Sequence, residues 1–403
     1  MIEKYSGISP RGDLLLLRKL ADRLAGKTFL HINSTREGGG VAEILQRMIP
    51  IMSSLGINAR WEVIKGDERF FDMTKKVHNA LQGTPEKIDQ DMWEHHRAVS
   101  EMNAAVLDLQ ADATVIHDPQ PVPLVNFRKN GVWIWRCHID VSNPQKEVFG
   151  KIGEYVSKYD AALYSVARFA GGMSRNEFIV PPSIDPIAEK NRELSRAEIE
   201  ETAQSLDIPL DRPVILQVSR FDRFKDPTGV IMAYRKVKKY NDCVLVLAGS
   251  PATDDPEGAE VLSEVREFAS NDPDVRILLL PPFSDKDINA LQRIATVILQ
   301  KSVKEGFGLT VAEGMWKGKP VIGGAAGGIP LQITHGVTGF LVHSIEGAAF
   351  RIRQLLNNGP MAERMGQQAR EFVRQHFLIT RQVRDHLAVW FSLSEGTKSL
   401  VEL

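Results

Sequence analysis

Two carboxylates, Glu305 and Glu313, bracket the run Glu305-Gly306-Phe307-Gly308-Leu309-Thr310-Val311-Ala312-Glu313. Their spacing is a little over two helical turns, so a helix through this run would set both acids toward one ligand from one wall. Gly306 and Gly308 leave backbone N–H groups uncovered at the mouth of that helix, where the dipole favours an anion. Such a wall suits a molecule carrying hydroxyls and phosphates. A carboxylate accepts from vicinal hydroxyls through two oxygens, and free amides donate to phosphate or sugar oxygens. The plain alternative is an acidic first turn behind a pair of glycines.

Other segments carry complementary chemistry. Ser219-Arg220-Phe221-Asp222-Arg223-Phe224-Lys225-Asp226 follows an expected strand, so Arg220 and Lys225 sit at its carboxyl end with the charge to neutralise a departing diphosphate; a solvated charged loop is the alternative. Ser34-Thr35-Arg36-Glu37-Gly38-Gly39-Gly40 leads into a helix, and its amides can approach an anion or sugar. Its three adjacent glycines are not a G-x-G-x-x-G fingerprint, which argues against a nicotinamide cofactor. His117-Asp118-Pro119-Gln120-Pro121 and Trp135-Arg136-Cys137-His138-Ile139-Asp140 both end expected strands. His138 can donate to a sugar hydroxyl or a reacting oxygen, while Asp118, Gln120 and Trp135 have the chemistry of a sugar pocket. Core packing is the competing role for Trp133 and Trp135, and a satisfied structural histidine for His138. The run Gly323–Gly328 is another place where backbone can approach a ligand. Asp254-Asp255 reads as a capping turn before Pro256, and no zinc or P-loop spacing is present.

The elements that must position these residues alternate. Short β-rich runs are expected at Thr28–Asn33, Ala59–Ile64, Ala113–His117, Val132–His138, Ala161–Ser165 and Glu177–Val180, with helices between, beginning with Val41–Leu55. Pro181-Pro182-Ser183-Ile184-Asp185-Pro186 and the charged stretch to about Asp211 interrupt the pattern. A second series follows at Pro213–Val218, Val244–Ala248, Val275–Leu279, Val297–Gln300, Pro320–Ile322 and Phe340–Val342. The fold class is therefore α/β, with two doubly wound halves whose ligands bind beyond the carboxyl ends of the strands, by default in a cleft between them.

At 403 residues the chain is long enough for two cores. Fifty basic against 51 acidic residues leave a net charge of -1, so no global field recruits nucleic acid or an anionic membrane. Cys137 and Cys243 lie far apart in apolar stretches, which fits buried thiols in a reducing, cytoplasmic setting. The N-terminal run Leu14–Leu17 is interleaved with charges and reads as an amphipathic helix, and no membrane span is expected.

In combination, the Glu305–Glu313 run, Ser219-Arg220-x4-Lys225, Gly327-Gly328-Ile329-Pro330 and Gly336-x-x-Gly339-Phe340-Leu341-Val342 resemble the retaining glycosyltransferases of family four, which have the GT-B fold. The first half resembles a narrower group in Ile32-Asn33-Ser34-Thr35, Gly38-Gly39-Gly40-Val41-Ala42-Glu43, His78-Asn79-Ala80-Leu81-Gln82-Gly83, His117–Pro121 and Arg136–Asp140: the trehalose glycosyltransferring synthases, which join glucose from a nucleoside-diphosphate donor to free glucose. The resemblance implies two Rossmann-like domains facing across a cleft. An acceptor domain of residues 1–182, completed by a crossing helix at about 382–403, would accompany a donor domain of residues 183–381. It implies Arg220 and Lys225 on the diphosphate and Glu313 on the ribose. Glu305 with the Gly306–Gly308 amides, including Phe307 and Leu309, would hold the donor glucose, with Gly39 and Gly40 assisting. His138 would lie beside the transferred sugar, and Asn33, Asp118, Gln120 and Trp135 would serve the acceptor. Nucleoside-diphosphate glucose and glucose or trehalose are the implied partners. No cofactor or metal is expected to be required, though stimulation by magnesium and a homodimer are both compatible with the sequence. A related transferase with a sugar phosphate, glucan or lipid-linked acceptor, or a nucleotide-sugar epimerase, would use much of the same machinery.

Overall fold

The computed structural model describes residues 1–37, 39–250 and 256–395, so Gly38 of the first glycine loop, the Asp254-Asp255 turn and residues 396–403 lie outside the described residues. The chain divides into two units, Met1–Ser183 with Ile379–Leu403, and Ile184–Leu378.

The first unit is built on six parallel strands: β1 (Thr28–Asn33), β2 (Asn58–Val63), β3 (Ala113–His117), β4 (Val132–Arg136), β5 (Ala161–Tyr164) and β6 (Glu177–Ile179), in the order β2-β1-β3-β4-β5-β6. The order reverses between β1 and β3, so the loops after these two strands leave the sheet on opposite sides and open a crevice at their carboxyl ends. β3 and β5 are buried along their whole length, which is why these segments read as continuous apolar runs. Trp133, Trp135, Phe70 and Tyr164 anchor the core on one side.

β4 ends at Arg136, two residues short of the expected His138. The N–H of His138 turns out of the ladder to the Asp118 carboxylate, 2.8 Å away. The helix expected to begin at Val41 begins at Gly39, so Gly39 and Gly40 form its first turn. Helix Ile379–Ser394 belongs to this unit. Its Trp390 ring stacks on Phe29 of β1 at 4.7 Å, Ser9 Oγ meets Thr380 Oγ1 at 2.8 Å, and Arg381 donates to the carbonyls of Pro181 and Pro182 at 2.7 and 3.0 Å.

The second unit also has six parallel strands: β7 (Val214–Val218), β8 (Val244–Gly249), β9 (Val275–Leu279), β10 (Val297–Gln300), β11 (Val321–Gly324) and β12 (Gly339–Val342), in the order β12-β11-β10-β7-β8-β9. Its reversal lies between β7 and β10. Its main core packs helices Pro227–Lys238 and Ile345–Leu356 against the sheet through Val230, Tyr234, Ile352 and Leu355. Among the described residues no helix is long and apolar enough to cross a membrane.

Candidate functional site

In the second unit the loops that leave β7 and β10 carry the strongest candidates. Lys225 Nζ donates to Glu305 Oε2 at 2.7 Å, and Ser302 Oγ donates to the same oxygen at 3.1 Å. Gln217, buried on β7, donates through its side-chain amide to the Lys225 carbonyl at 2.8 Å and so fixes the backbone from which the lysine reaches. Asp226 follows with a left-handed backbone, φ 50°, caps helix Pro227–Lys238 by accepting from Gly229 N–H at 3.1 Å, and pairs with Lys301 at the end of β10. Two lysine–carboxylate pairs thus tie the two strand ends together. Arg220 stands further out, 55% exposed, with Nη2 3.5 Å from Asp222.

Glycine decides the shape of the carboxylate loop. Gly308 has φ 84° and is the residue before helix Leu309–Trp316; a side chain there would press on Glu305 Cγ at 3.3 Å. Gly327 has φ 53°, and a Cβ on it would fall 1.4 Å from the Glu305 carbonyl oxygen. Gly328 N–H donates to Gly306 O at 3.1 Å, and Gln332 donates to Phe307 O at 2.6 Å. The glycines after β11 therefore back the loop 305–308 as a flat surface, where the sequence suggested that they approach a ligand themselves.

The expectation of two acids on one wall is corrected. Because Gly308 takes the left-handed conformation, Glu305 lies before the helix and not on it, while Glu313 is turned inward and fully buried. Glu313 Oε1 lies 3.0 Å from Lys190 Nζ, and Oε2 accepts from Gln292 at 3.1 Å. Burial works to raise its pKa, yet the charges of Lys190 and Lys317 and the hydrogen bonds from Lys190 and Gln292 hold it below the ordinary carboxylate value. In this arrangement its oxygens are taken up by Lys190 and Gln292 inside the second unit. The Phe307 ring is buried edge-on to Phe377, 5.5 Å between centroids, so what it can offer a ligand is its backbone amide. Leu309 is half-buried in the first turn, where its N–H has no acceptor within the helix.

In the first unit the ends of β1, β3 and β4 bring His138 and Asp118 together. Asp118 has φ 63°; its backbone N–H donates to Arg136 O at 2.8 Å, and its Oδ1 accepts from the His138 N–H. Burial pushes the Asp118 carboxyl up to about 7, against the His138 N–H and the Arg136 charge, which pull it down. Arg136 is fully buried, and burial lowers its pKa to about 10, which leaves it charged at neutral pH.

Trp135 is corrected from pocket wall to core. Its ring is buried edge-on to Tyr164 at 6.1 Å, and its Nε1 donates to Asp118 O at 3.0 Å. Asn33 is corrected too: it donates to Thr35 O at 2.7 Å and accepts from Trp61 Nε1 at 2.8 Å, which makes it the organiser of the loop after β1. Arg36 lies 4.8 Å over the Trp61 ring and donates to its carbonyl at 2.6 Å, pinning the same loop. Gln120 is half-buried, and its carbonyl lies 2.8 Å from His96 Nε2. Gly39 and Gly40 are exposed, with Gly39 at φ 78°.

Sequence reasoning passed over His31, Ser302 and Lys190, and gave His117 no role of its own within the motif His117–Pro121. His31 and His117 lie on adjacent strands, near the carboxyl ends of two apolar runs, and polar residues at such positions were the available signal. Nothing local marks Lys190, which reaches Glu313 from the irregular segment after the boundary.

Residues 31–171 match the family described as Trehalose synthase, N-terminal domain, and residues 198–372 match Glycosyl transferases group 1. The chain is 43% identical to the trehalose synthase of Thermococcus litoralis, over 96% of this chain and 95% of that one. Identity to the trehalose synthase of Rubrobacter xylanophilus is 40%, over 94% and 93% of the two chains. Among solved structures, the sucrose-phosphate synthase of Thermosynechococcus elongatus aligns with a TM-score of 0.72 at 16% identity, over 92% of this chain and 100% of that one. Identity that low bears on the fold alone, which is the GT-B pairing of two parallel-sheet domains.

Proposed function

We propose, for a chain that belongs to the trehalose synthase family of GT-B glycosyltransferases, that it transfers glucose from a nucleoside diphosphate to free glucose and forms the α,α-linked disaccharide with retention at the anomeric carbon. The Lys225–Glu305 pair at the reversal between β7 and β10 is the observation that carries this reading. There a cation and a carboxylate share the place where sheets of this kind bind ligands.

In this reading Lys225 and Arg220 draw the diphosphate and stabilise its growing charge as the bond from C1 to phosphate oxygen breaks. Lys225 is already bound to Glu305, so the incoming phosphate shares the lysine, and Glu305 Oε2 keeps the Ser302 hydroxyl while its carboxylate accepts from a glucose hydroxyl. The amides of Gly306–Gly308 and of the first turn from Leu309 donate to sugar or phosphate oxygens. Glu313 acts behind them. Through Lys190 and Gln292 it fixes the helix whose first turn presents those amides. In the first unit His138 meets a sugar oxygen, held in place by the Asp118 carboxylate on its N–H. The new bond joins C1 to the acceptor hydroxyl oxygen on the face the diphosphate leaves, and the hydroxyl proton passes to the departing phosphate oxygen. Positioning and charge stabilisation then do the work, with no strong protein base required. The same steps in reverse cleave the disaccharide with a nucleoside diphosphate.

The test is to incubate the protein with UDP-, ADP- and GDP-glucose, each with and without glucose, and to identify products by NMR. A glucose-dependent α,α-1,1-linked disaccharide is expected. Donor consumed without that product would overturn the acceptor assignment, and no turnover with any of the three would overturn the donor assignment.

A further inference from the structure

Three histidines of the first unit form a line. His31 Nδ1 lies 3.0 Å from His117 Nε2, and His117 Nδ1 lies 2.9 Å from His138 Nε2. The rings stack in pairs, at 5.3 Å for His31 with His117 and 5.2 Å for His117 with His138. His31 and His117 are buried within β1 and β3, whereas His138 is only partly buried, and its Nδ1 takes no hydrogen-bond partner among the described residues. At the inner end His31 Nε2 is buried with no partner among the described residues. Burial lowers the pKa of all three, so each ring is neutral near pH 7 and carries a single proton.

Three neutral imidazoles in this line have two coherent proton orders; any other sets two lone pairs or two N–H groups face to face. In one order His31 Nδ1–H donates to His117, His117 Nδ1–H donates to His138 Nε2, and the proton of His138 sits on Nδ1. In the other every bond reverses, and His31 must carry its proton on the buried, partnerless Nε2. A buried side-chain N–H is seldom left without an acceptor in folded proteins. The His386 ring, 6.0 Å away between centroids, offers His31 Nε2 no hydrogen bond among the described residues.

We propose that His31 and His117 are positioning residues that hold His138 as the Nδ1–H tautomer, so that its open edge donates a hydrogen bond and cannot accept one. The ligand atom it serves is then an oxygen acceptor, either a hydroxyl lone pair or a phosphate oxygen, and His138 does not act there as a base. This deepens the assignment of His138 to a sugar oxygen and rests on it for its consequence in turnover, though the tautomer itself does not depend on the substrate.

The full-length protein with isotopically labelled histidine tests the tautomer directly through two-bond proton–nitrogen correlations, with the His138→Gln spectrum assigning the His138 signals. A protonated Nδ1 and a bare Nε2 are expected, and the opposite pattern overturns the proposal whether or not the protein makes trehalose. The second arm compares two near-isosteric variants. His117→Asn keeps an N–H donor toward His138 Nε2 and should preserve the tautomer and most of the turnover. His117→Asp offers only an acceptor, and should move the proton to Nε2 and lower kcat by about tenfold or more, the scale of one misdirected hydrogen bond. Equal losses in both variants with the His138 signals unmoved would overturn the positioning role. Preserved turnover in a His117→Asp protein whose His138 has changed tautomer would instead overturn the assignment of His138 to the ligand.

Discussion

Lys225 is held by Glu305 and Asp118 by the N–H of His138, and each gives a measurable consequence. Removing the Lys225 amine leaves Glu305, among the described residues, with the Ser302 hydroxyl, and in the proposed reaction takes a cation from the leaving group. Lys225→Ala should lower kcat by about 10²–10³-fold, the usual loss when one charge-stabilising donor is removed, with the fold unchanged by circular dichroism. Near-normal turnover in that folded protein would remove Lys225 from the mechanism. Asp118 makes the opposite kind of statement, because its folded pKa is raised to about 7 by burial. The folded protein then binds a proton that the unfolded chain has released, so the stability this group provides is full below about pH 4 and is lost as pH rises to about 7. Asp118→Asn cannot titrate. Urea unfolding should show the variant gaining on the wild type between those values, and a constant difference across that range would refute the raised pKa.

The loops around β10 and β11 behave as one object, since Gly327 and Gly328 lie against the backbone of Glu305 and Gly306. Gly327→Ala places a methyl group where the Glu305 carbonyl now is, so the loops must part by more than an ångström. A displacement of that size at a reacting centre costs about 10²-fold in turnover. Gly12→Ala, which meets open space in a helix, is the control and should leave kcat unchanged. These elements were legible in the sequence to different depths. Strands such as Ala113–His117 and Val297–Gln300 announce themselves as apolar runs, and the loops bearing Lys225 and Glu305 follow from where such runs stop. The direction of a side chain is another matter. A parallel strand buried on both faces has no alternation to read, so Trp135 and Asn33 could not be told from pocket residues. The left-handed turn at Gly308 takes Glu305 off the helix, so helical spacing no longer relates it to Glu313. The meeting of His31 with His117 is a property of sheet order, which no local pattern carries.

At the scale of the molecule, the first unit is discontinuous in sequence and the second is not. Helix Ile379–Ser394 lies on the first unit's helix Arg11–Arg23 and stacks Trp390 on Phe29. Trp390→Ala removes a buried aromatic and should cost about 3–5 kcal/mol. Hydrogen exchange locates that loss: amides of β1 should exchange faster while those of β7 stay protected, and equal acceleration in both would show that the units open together. The same connectivity sets an order of events during synthesis. A ribosome working from the N-terminus releases everything needed for residues 184–378 before it releases the helix that covers β1, a strand made about 350 residues earlier. The half begun first is finished last, so a nascent chain passes through a stage in which the unit bearing Lys225 can already be whole while the face of β1 that carries Phe29 still waits, uncovered, for a chaperone or for Trp390.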